Sequence, residues 1–215
     1  MRVGLFGGSF NPIHLGHLRA AEEDREALKL DLVYFIPAAA PPHKPNVGLA
    51  PAEHRLQMVR LATKGNRHFM VSDSEIRRGG QSYTIDTVRY FLATMRGQAD
   101  IHLIMGADQF TGLATWKEGG ELVKLCDVAV HARQAEAGEA PAPISLAAID
   151  HFGYIREEDH YVHQSGHTLS FVATTFLPIS ATLVRQTIAA RESIRYLVSD
   201  DVADYIQRHG LYSSV

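Results

Sequence analysis

Five short apolar runs, each followed by a stretch long enough to hold a helix, constrain this chain more than any other feature of it. They are Val3-Gly4-Leu5-Phe6, Leu32-Val33-Tyr34-Phe35-Ile36, His68-Phe69-Met70-Val71, Ile101-His102-Leu103-Ile104-Met105 and Val128-Ala129-Val130. A strand with one wet face alternates apolar and polar residues. An unbroken run marks a strand covered on both faces, as in a parallel sheet. The intervening segments carry the helical period. Leu18, Ala21 and Leu28 share a face, and Pro51 opens a helix predicted to run to about Thr63. Ile85, Val88, Phe91, Leu92 and Met95 keep helical spacing behind Thr84 as N-cap. Strand and helix therefore alternate, which predicts an α/β fold with right-handed crossovers and a doubly wound parallel sheet. Such sheets bind ligands outside the carboxyl ends of their strands, so chemistry is expected in the loops that follow strands.

The 215 residues suit a single domain, 1–215, with a helical portion from about residue 180. Gln134 to Pro143 reads as a surface loop, and Ser145 to His167 shows no period and stays unassigned. Phe171-Val172-Ala173-Thr174-Thr175-Phe176 reads as a last strand. One closing helix starts at Ser180. The other runs from about Asp200 to His209, with Val202, Tyr205 and Ile206 inward and Gly210 as its stop. Lys plus Arg number 21 against 24 Asp plus Glu, a formal net charge of −3, which argues against nonspecific nucleic-acid or membrane-surface binding. Cys126 is the single cysteine, so no internal disulfide is available. No apolar run approaches the ~20 residues of a membrane span, and the N-terminus lacks a signal-peptide core. The expectation is a cytoplasmic enzyme.

The segment richest in chemistry is Gly7-Gly8-Ser9-Phe10-Asn11-Pro12-Ile13-His14-Leu15-Gly16-His17-Leu18, which leaves the first strand and opens the first helix. Glycines let a ligand approach the backbone, and a helix start offers amides and the positive end of a dipole. His14 and His17, three apart, are predicted to point to one side. Two imidazoles beside helix-start amides suit phosphate oxygens. The segment is neither a Walker A loop nor the dinucleotide fingerprint G-x-G-x-x-G, and it lacks the last glycine of G-x-S-x-G. Near the C-terminus, Ile179-Ser180-Ala181-Thr182-Leu183-Val184-Arg185 places a capping serine, a hydroxyl and a cation at another helix start, flanking an apolar face of Leu183 and Val184. Pro41-Pro42-His43-Lys44 follows the second strand, Ser82-Tyr83-Thr84 precedes a helix, and Gly106-Ala107-Asp108 follows the fourth strand, with Thr115-Trp116 beyond it. His160, His163 and His167 lack partnering cysteines or defensible carboxylate spacing, so they read as a solvated stretch with no metal site.

The first segment resembles the G-G-[ST]-F-[DN]-P-x-H-x-G-H motif of the nucleotidyltransferase superfamily of adenylyl and cytidylyl transferases, and residues 179–185 match its Ile-Ser-x-Thr-x-x-Arg signature. The Pro-Pro-His-Lys, Ser-Tyr-Thr and Thr-Trp segments narrow the resemblance to the bacterial-type nicotinate-nucleotide adenylyltransferase family. It covers nearly the whole chain, weakly from Gln134 to Phe171. Ser9 stands where Thr is frequent, Asn11 where Asp is frequent, and Arg133 lacks the proline that often follows.

The resemblance implies a Rossmann-like nucleotidyltransferase fold. It also implies an enzyme of NAD biosynthesis that joins ATP to nicotinate mononucleotide, releasing pyrophosphate, with Mg²⁺ accompanying ATP. Under it, His14, His17, Lys44 and Arg185 would be catalytic. Gly7, Gly8, Ser9, Phe10, His14, His17, Ser180, Thr182 and Arg185 would bind ATP. His43, Lys44, Tyr83, Thr84, Gly106, Asp108, Trp116 and Arg133 would bind the nicotinate nucleotide. Nucleic acid and membrane are not expected partners, and association into a homo-oligomer is left open.

Overall fold

A computed structural model describes residues 1–42, 48–133, 146–158 and 160–213. The predicted strands are present as β1 (Arg2–Gly8), β2 (Leu32–Pro37), β3 (Phe69–Val71), β4 (Asp100–Gly106) and β5 (Asp127–Arg133), and the late run as β8 (Thr168–Thr174). The helices are α1 (Leu15–Ala27), α2 (Ala52–Thr63), α3 (Ser74–Arg78), α4 (Thr84–Met95), α5 (Ala107–Gly112), α6 (Gly119–Leu125), α7 (Leu146–His151), α8 (Ala181–Ala189) and α9 (Asp200–Arg208). Among the described residues the strands form one sheet in the order β3-β2-β1-β4-β5-β8-β7-β6. The order reverses at β1 and β4, the switch point of a doubly wound sheet.

Two details differ from the sequence reading. The unassigned stretch holds α7, β6 (Tyr154–Glu157) and β7 (His160–His163), and β6, β7 and β8 pair antiparallel, so the parallel sheet carries a hairpin extension. The strands of that hairpin are four residues each, too short to display a period, and Ile155 on β6 is 71% exposed. Second, the N-cap of α4 is Tyr83, with Thr84 the first helical residue.

The chain divides into two compact units. One comprises Met1–Gly7, Ala20–Tyr34 and Tyr83–Phe176; the other comprises Gly8–Arg19, Phe35–Ser82 and Leu177–Val215. In the first unit β1, β4, β5 and β8 pair in parallel, with Val3 opposite Ile101, Leu103 opposite Val128 and Val130 opposite Phe171. Val3, Leu5, Ile101, Leu103, Ile104, Val128 and Val130 are at most 4% exposed, as double-faced cover requires. The second unit is packed around Phe35, Ile36, Met58, Val59, Val184, Val202 and Ile206.

The first unit also buries charge. Asp24 on α1 is fully buried, its Oδ2 lies 3.2 Å from His131 Nδ1, and its Oδ1 has no hydrogen-bond partner among the described residues. Burial raises the Asp24 carboxyl above the ordinary carboxylate range, against the lowering pull of His131. A raised carboxyl binds its proton more tightly in the folded chain than in the unfolded one. Its contribution is therefore complete at acid pH and is lost as pH rises from the unfolded value, near ~4, through the raised one. Asp24→Asn is expected to raise Tm at pH 7–8 and to lose that advantage on acidification toward about pH 4. Thermal melts of both proteins across pH check this; a variant destabilised at neutral pH contradicts it.

Candidate active site

The glycine-rich turn and the Ile-Ser-x-Thr-x-x-Arg segment both belong to the second unit, apart from Gly7. Beyond β1 the backbone turns at Phe10, which takes the left-handed region at φ +44° and is 2% exposed. A Cβ on Gly8 would stand 3.0 Å from the Phe10 ring, so a bare backbone lets that ring fold over the turn. The ring meets His17 edge-on at 5.2 Å and Phe35 at 5.9 Å between centroids. His14 and His17 do converge: their rings stack with centroids 3.6 Å apart. A Cβ on Gly16 would lie 3.1 Å from His14 Nδ1, so the bare backbone there gives the stacked ring room.

The amide of His14 donates to His17 Nδ1 at 3.3 Å. Nδ1 is thereby the acceptor nitrogen, and the neutral ring carries its proton on Nε2, a donor suited to a phosphate oxygen. The helix-start amides contribute less than the sequence implied, because Leu15 N–H is taken by the Leu197 carbonyl at 3.0 Å and His14 N–H by His17. Those two amides are therefore already committed within the protein.

Ser180 caps α8 as expected: its Oγ accepts from Leu183 N–H at 3.0 Å, and the Val184 amide makes the first helical bond, to Ser180 O, at 3.0 Å. The amides of Ala181 and Thr182 precede that bond and have no intrahelical partner. Val184 is buried, but Leu183 is 38% exposed, so only one of the two predicted apolar residues faces inward. Arg185 reaches across to the first motif, its Nη1 donating to the Asn11 carbonyl at 2.8 Å and its Nη2 to Thr182 Oγ1 at 3.2 Å. The two signatures thus adjoin through a direct hydrogen bond.

The side chain of Asn11 is bonded within the protein. Its Oδ1 accepts from Ala50 N–H at 3.0 Å and from the Tyr212 hydroxyl at 2.8 Å, while its Nδ2 donates to the Gly48 carbonyl at 2.8 Å. The replacement of a carboxylate there therefore bears on loop anchoring. Sequence reasoning missed Arg55 altogether. Its side chain is fully buried on α2 and donates to three carbonyls: Ala50 at 2.9 Å, Ser9 at 2.8 Å and Ala39 at 3.1 Å. Burial pulls its guanidinium below the usual value. A lone arginine in an amphipathic helix carries no signal of such a role.

In the first unit, Tyr83 caps α4, and Lys117 Nζ stands 4.6 Å from its ring centroid while pairing with Asp86 at 3.3 Å. Arg89 and Glu118 form a further pair at 2.6 Å, which ties the segment after Trp116 to α4. Trp116 is partly buried, and Asp108 is exposed on α5, whose start is closed by Gly106 N–H donating to Gln109 Oε1 at 3.0 Å. His43, Lys44 and the side chain of Arg133 lie outside the described residues, as does the loop from Gln134 to Pro143. The motif segments 8–17 and 179–185 contain no carboxylate, and among the described residues no group of three or more His, Cys, Asp or Glu could hold a metal ion. The residues of these two segments offer no carboxylate set to hold a resident Mg²⁺. Among the described residues no helix is long and apolar enough to cross a membrane.

A family model described as cytidylyltransferase-like matches residues 5–187, which takes in both signatures. The chain belongs to the cytidylyltransferase-like family. Within it, a probable nicotinate-nucleotide adenylyltransferase of Syntrophotalea carbinolica is 42% identical over 215 residues, 100% of this chain and 98% of that one. Another of Geobacter metallireducens is 44% identical over 214 residues, 99% of each. Among solved structures, the Plasmodium falciparum nicotinic acid mononucleotide adenylyltransferase complexed with NaAD superposes with a TM-score of 0.71 at 16% identity, covering 98% of this chain and 97% of that one. A putative nicotinate-nucleotide adenylyltransferase from Vibrio parahaemolyticus gives 0.64 at 18% identity, covering 100% and 98%. At those identities the structural likeness establishes the fold. The mostly parallel sheet with its helices is that of the family.

Proposed function

We propose that the chain transfers the adenylyl group of ATP to nicotinate mononucleotide, yielding nicotinate adenine dinucleotide and pyrophosphate. The observation that carries this reading is the hydrogen bond from Arg185 to the Asn11 carbonyl, which seats the guanidinium three residues from His14 and beside the capped start of α8. A guanidinium fork, two stacked imidazoles and the Ala181 and Thr182 amides make one cationic, donor-rich surface, and a triphosphate is the ligand such a surface fits. The names of the full-length relatives supply the acceptor.

The reaction asks for no nucleophilic side chain. A phosphate monoester with its second pKa near ~6 is mostly dianionic at neutral pH, and its oxygen attacks the α-phosphorus of ATP as the bond to pyrophosphate breaks. The chain contributes position and preorganised charge. His17 Nε2–H donates to the α-phosphate oxygen on which charge accumulates, while Arg185, Thr182 and the start of α8 hold the departing pyrophosphate. In the first unit, the start of α4 at Thr84 presents a positive dipole end, and the Lys117 ammonium adjoins Tyr83. Both favour a carboxylate over a neutral carboxamide on the pyridine ring, which Trp116 would stack upon.

Purified protein given ATP with nicotinate mononucleotide is expected to release pyrophosphate and form the dinucleotide, with nicotinamide mononucleotide a poorer acceptor. Absence of pyrophosphate release with any phosphate-bearing acceptor overturns adenylyl transfer. Release with phosphopantetheine but not nicotinate mononucleotide overturns the acceptor alone.

A further inference from the structure

We infer that Tyr212, three residues from the end of the chain, is a positioning residue for Arg185 and acts through Asn11; the inference rests on the proposed role of Arg185 at the triphosphate. The Arg185 fork donates to Thr182 Oγ1 one turn back and to the Asn11 carbonyl, and the second bond is the one that sets its direction relative to the histidine turn. A main-chain carbonyl points where its peptide plane points. Asn11 is 8% exposed, and its plane is fixed by the three bonds of its own side chain: to Ala50 N–H, the Gly48 carbonyl and the Tyr212 hydroxyl.

Each of those bonds has a reason to be specific. An amide can accept on Oδ1 and donate on Nδ2 at once, so the bracket closes on both Ala50 and Gly48; a carboxylate would set an oxygen against the Gly48 carbonyl. Tyr212 is 8% exposed and sits in the left-handed region at φ +64°, a conformation that its buried hydroxyl contact helps to hold. Burial pushes its phenol well above the ordinary tyrosine value, so it remains a donor throughout the working pH range. Ala50 is gripped from the other side by Arg55 Nε on its carbonyl. The hydroxyl of Tyr212 is thus the one member of the bracket supplied from the far end of the sequence, 201 residues from Asn11.

The test is a double-mutant cycle of Tyr212→Phe and Arg185→Ala, read both as kcat/KM for ATP and as the Kd of MgATP measured by calorimetry. Tyr212→Phe removes one oxygen and leaves Oδ1 still bonded to Ala50, so Tm should fall by only a few degrees, and equally in both backgrounds. In the Arg185 protein it is expected to lower kcat/KM for ATP about three- to tenfold, the usual worth of one buried hydrogen bond. In the Arg185→Ala protein the same change should cost less than about twofold, because the group being aimed is gone. Equal losses in the two backgrounds, or no loss in either, overturn the inference. Should the unmutated protein fail to transfer adenylyl groups, the proposed function falls, while the calorimetric cycle still decides whether Tyr212 acts through Arg185 on nucleotide binding.

Discussion

His17→Ala should lower kcat by about 10²–10³ while the protein stays folded and still binds ATP. The magnitude follows from what the ring is held to do. The His14 amide occupies Nδ1, the Phe10 ring packs edge-on at 5.2 Å, and the His14 ring stacks at 3.6 Å, so Nε2–H is oriented before any substrate arrives. A donor that needs no reorganisation and meets charge only as it develops is worth about 2.7–4 kcal/mol in the transition state, and much less in the ground state. The loss should therefore appear in kcat, with KM for ATP changed far less. Steady-state kinetics beside a thermal melt measure both. Near-unchanged kcat in a folded variant would remove His17 from the reacting phosphate.

Arg55→Met should cost about 3–5 kcal/mol of stability, a fall in Tm of roughly 6–20 °C for a chain of this size. Two effects oppose each other. Methionine relieves the cost of burying a guanidinium, which is visible in its lowered pKa. It also leaves the carbonyls of Ser9, Ala39 and Ala50 without their donor in a buried place, at about 1–3 kcal/mol each, and that sum wins. Because Ser9 lies in the histidine turn and Ala50 is bonded to Asn11, the surviving folded fraction should also bind ATP more weakly. Lysine, with a single ammonium, can reach one carbonyl and should recover only part of the loss. Denaturation of the two variants decides; a methionine variant as stable as the original would show that the three carbonyls find other donors.

What could be read from the amino-acid order alone was whatever repeats locally. The unbroken runs at Val3–Phe6 and Ile101–Met105 are strands covered on both faces, and Ser180 caps its helix as its position before an apolar-periodic stretch implied. The spacing of His14 and His17 was enough to stack their rings. Interactions between residues far apart in sequence left no such trace. Nothing local marked Asp24 of α1 for burial, because its partner His131 is 107 positions away. Arg55, with carbonyl partners on separate loops, looked like any surface arginine, and Asn11 looked like a lost carboxylate until Tyr212 was seen against it. The hairpin of β6 and β7 was not legible because strands of four residues, rich in polar side chains, span only two cycles of the strand alternation, too few to stand out.

The strand order has a further consequence for how copies of this chain behave in a crowded solution. An open sheet exposes unsatisfied main-chain groups along its two outermost strands, and a neighbouring molecule can zip onto them. Here one border is β3, three residues long, which presents too few groups to nucleate pairing. The opposite border, β6, shows the sticky side chain of Ile155, but Arg156 and Glu157 follow it at once and are exposed as well. Docking a second strand there would have to strip water from both charged side chains, a cost the new pairing must offset. Brevity guards one margin and charge the other against ribbon-like stacking.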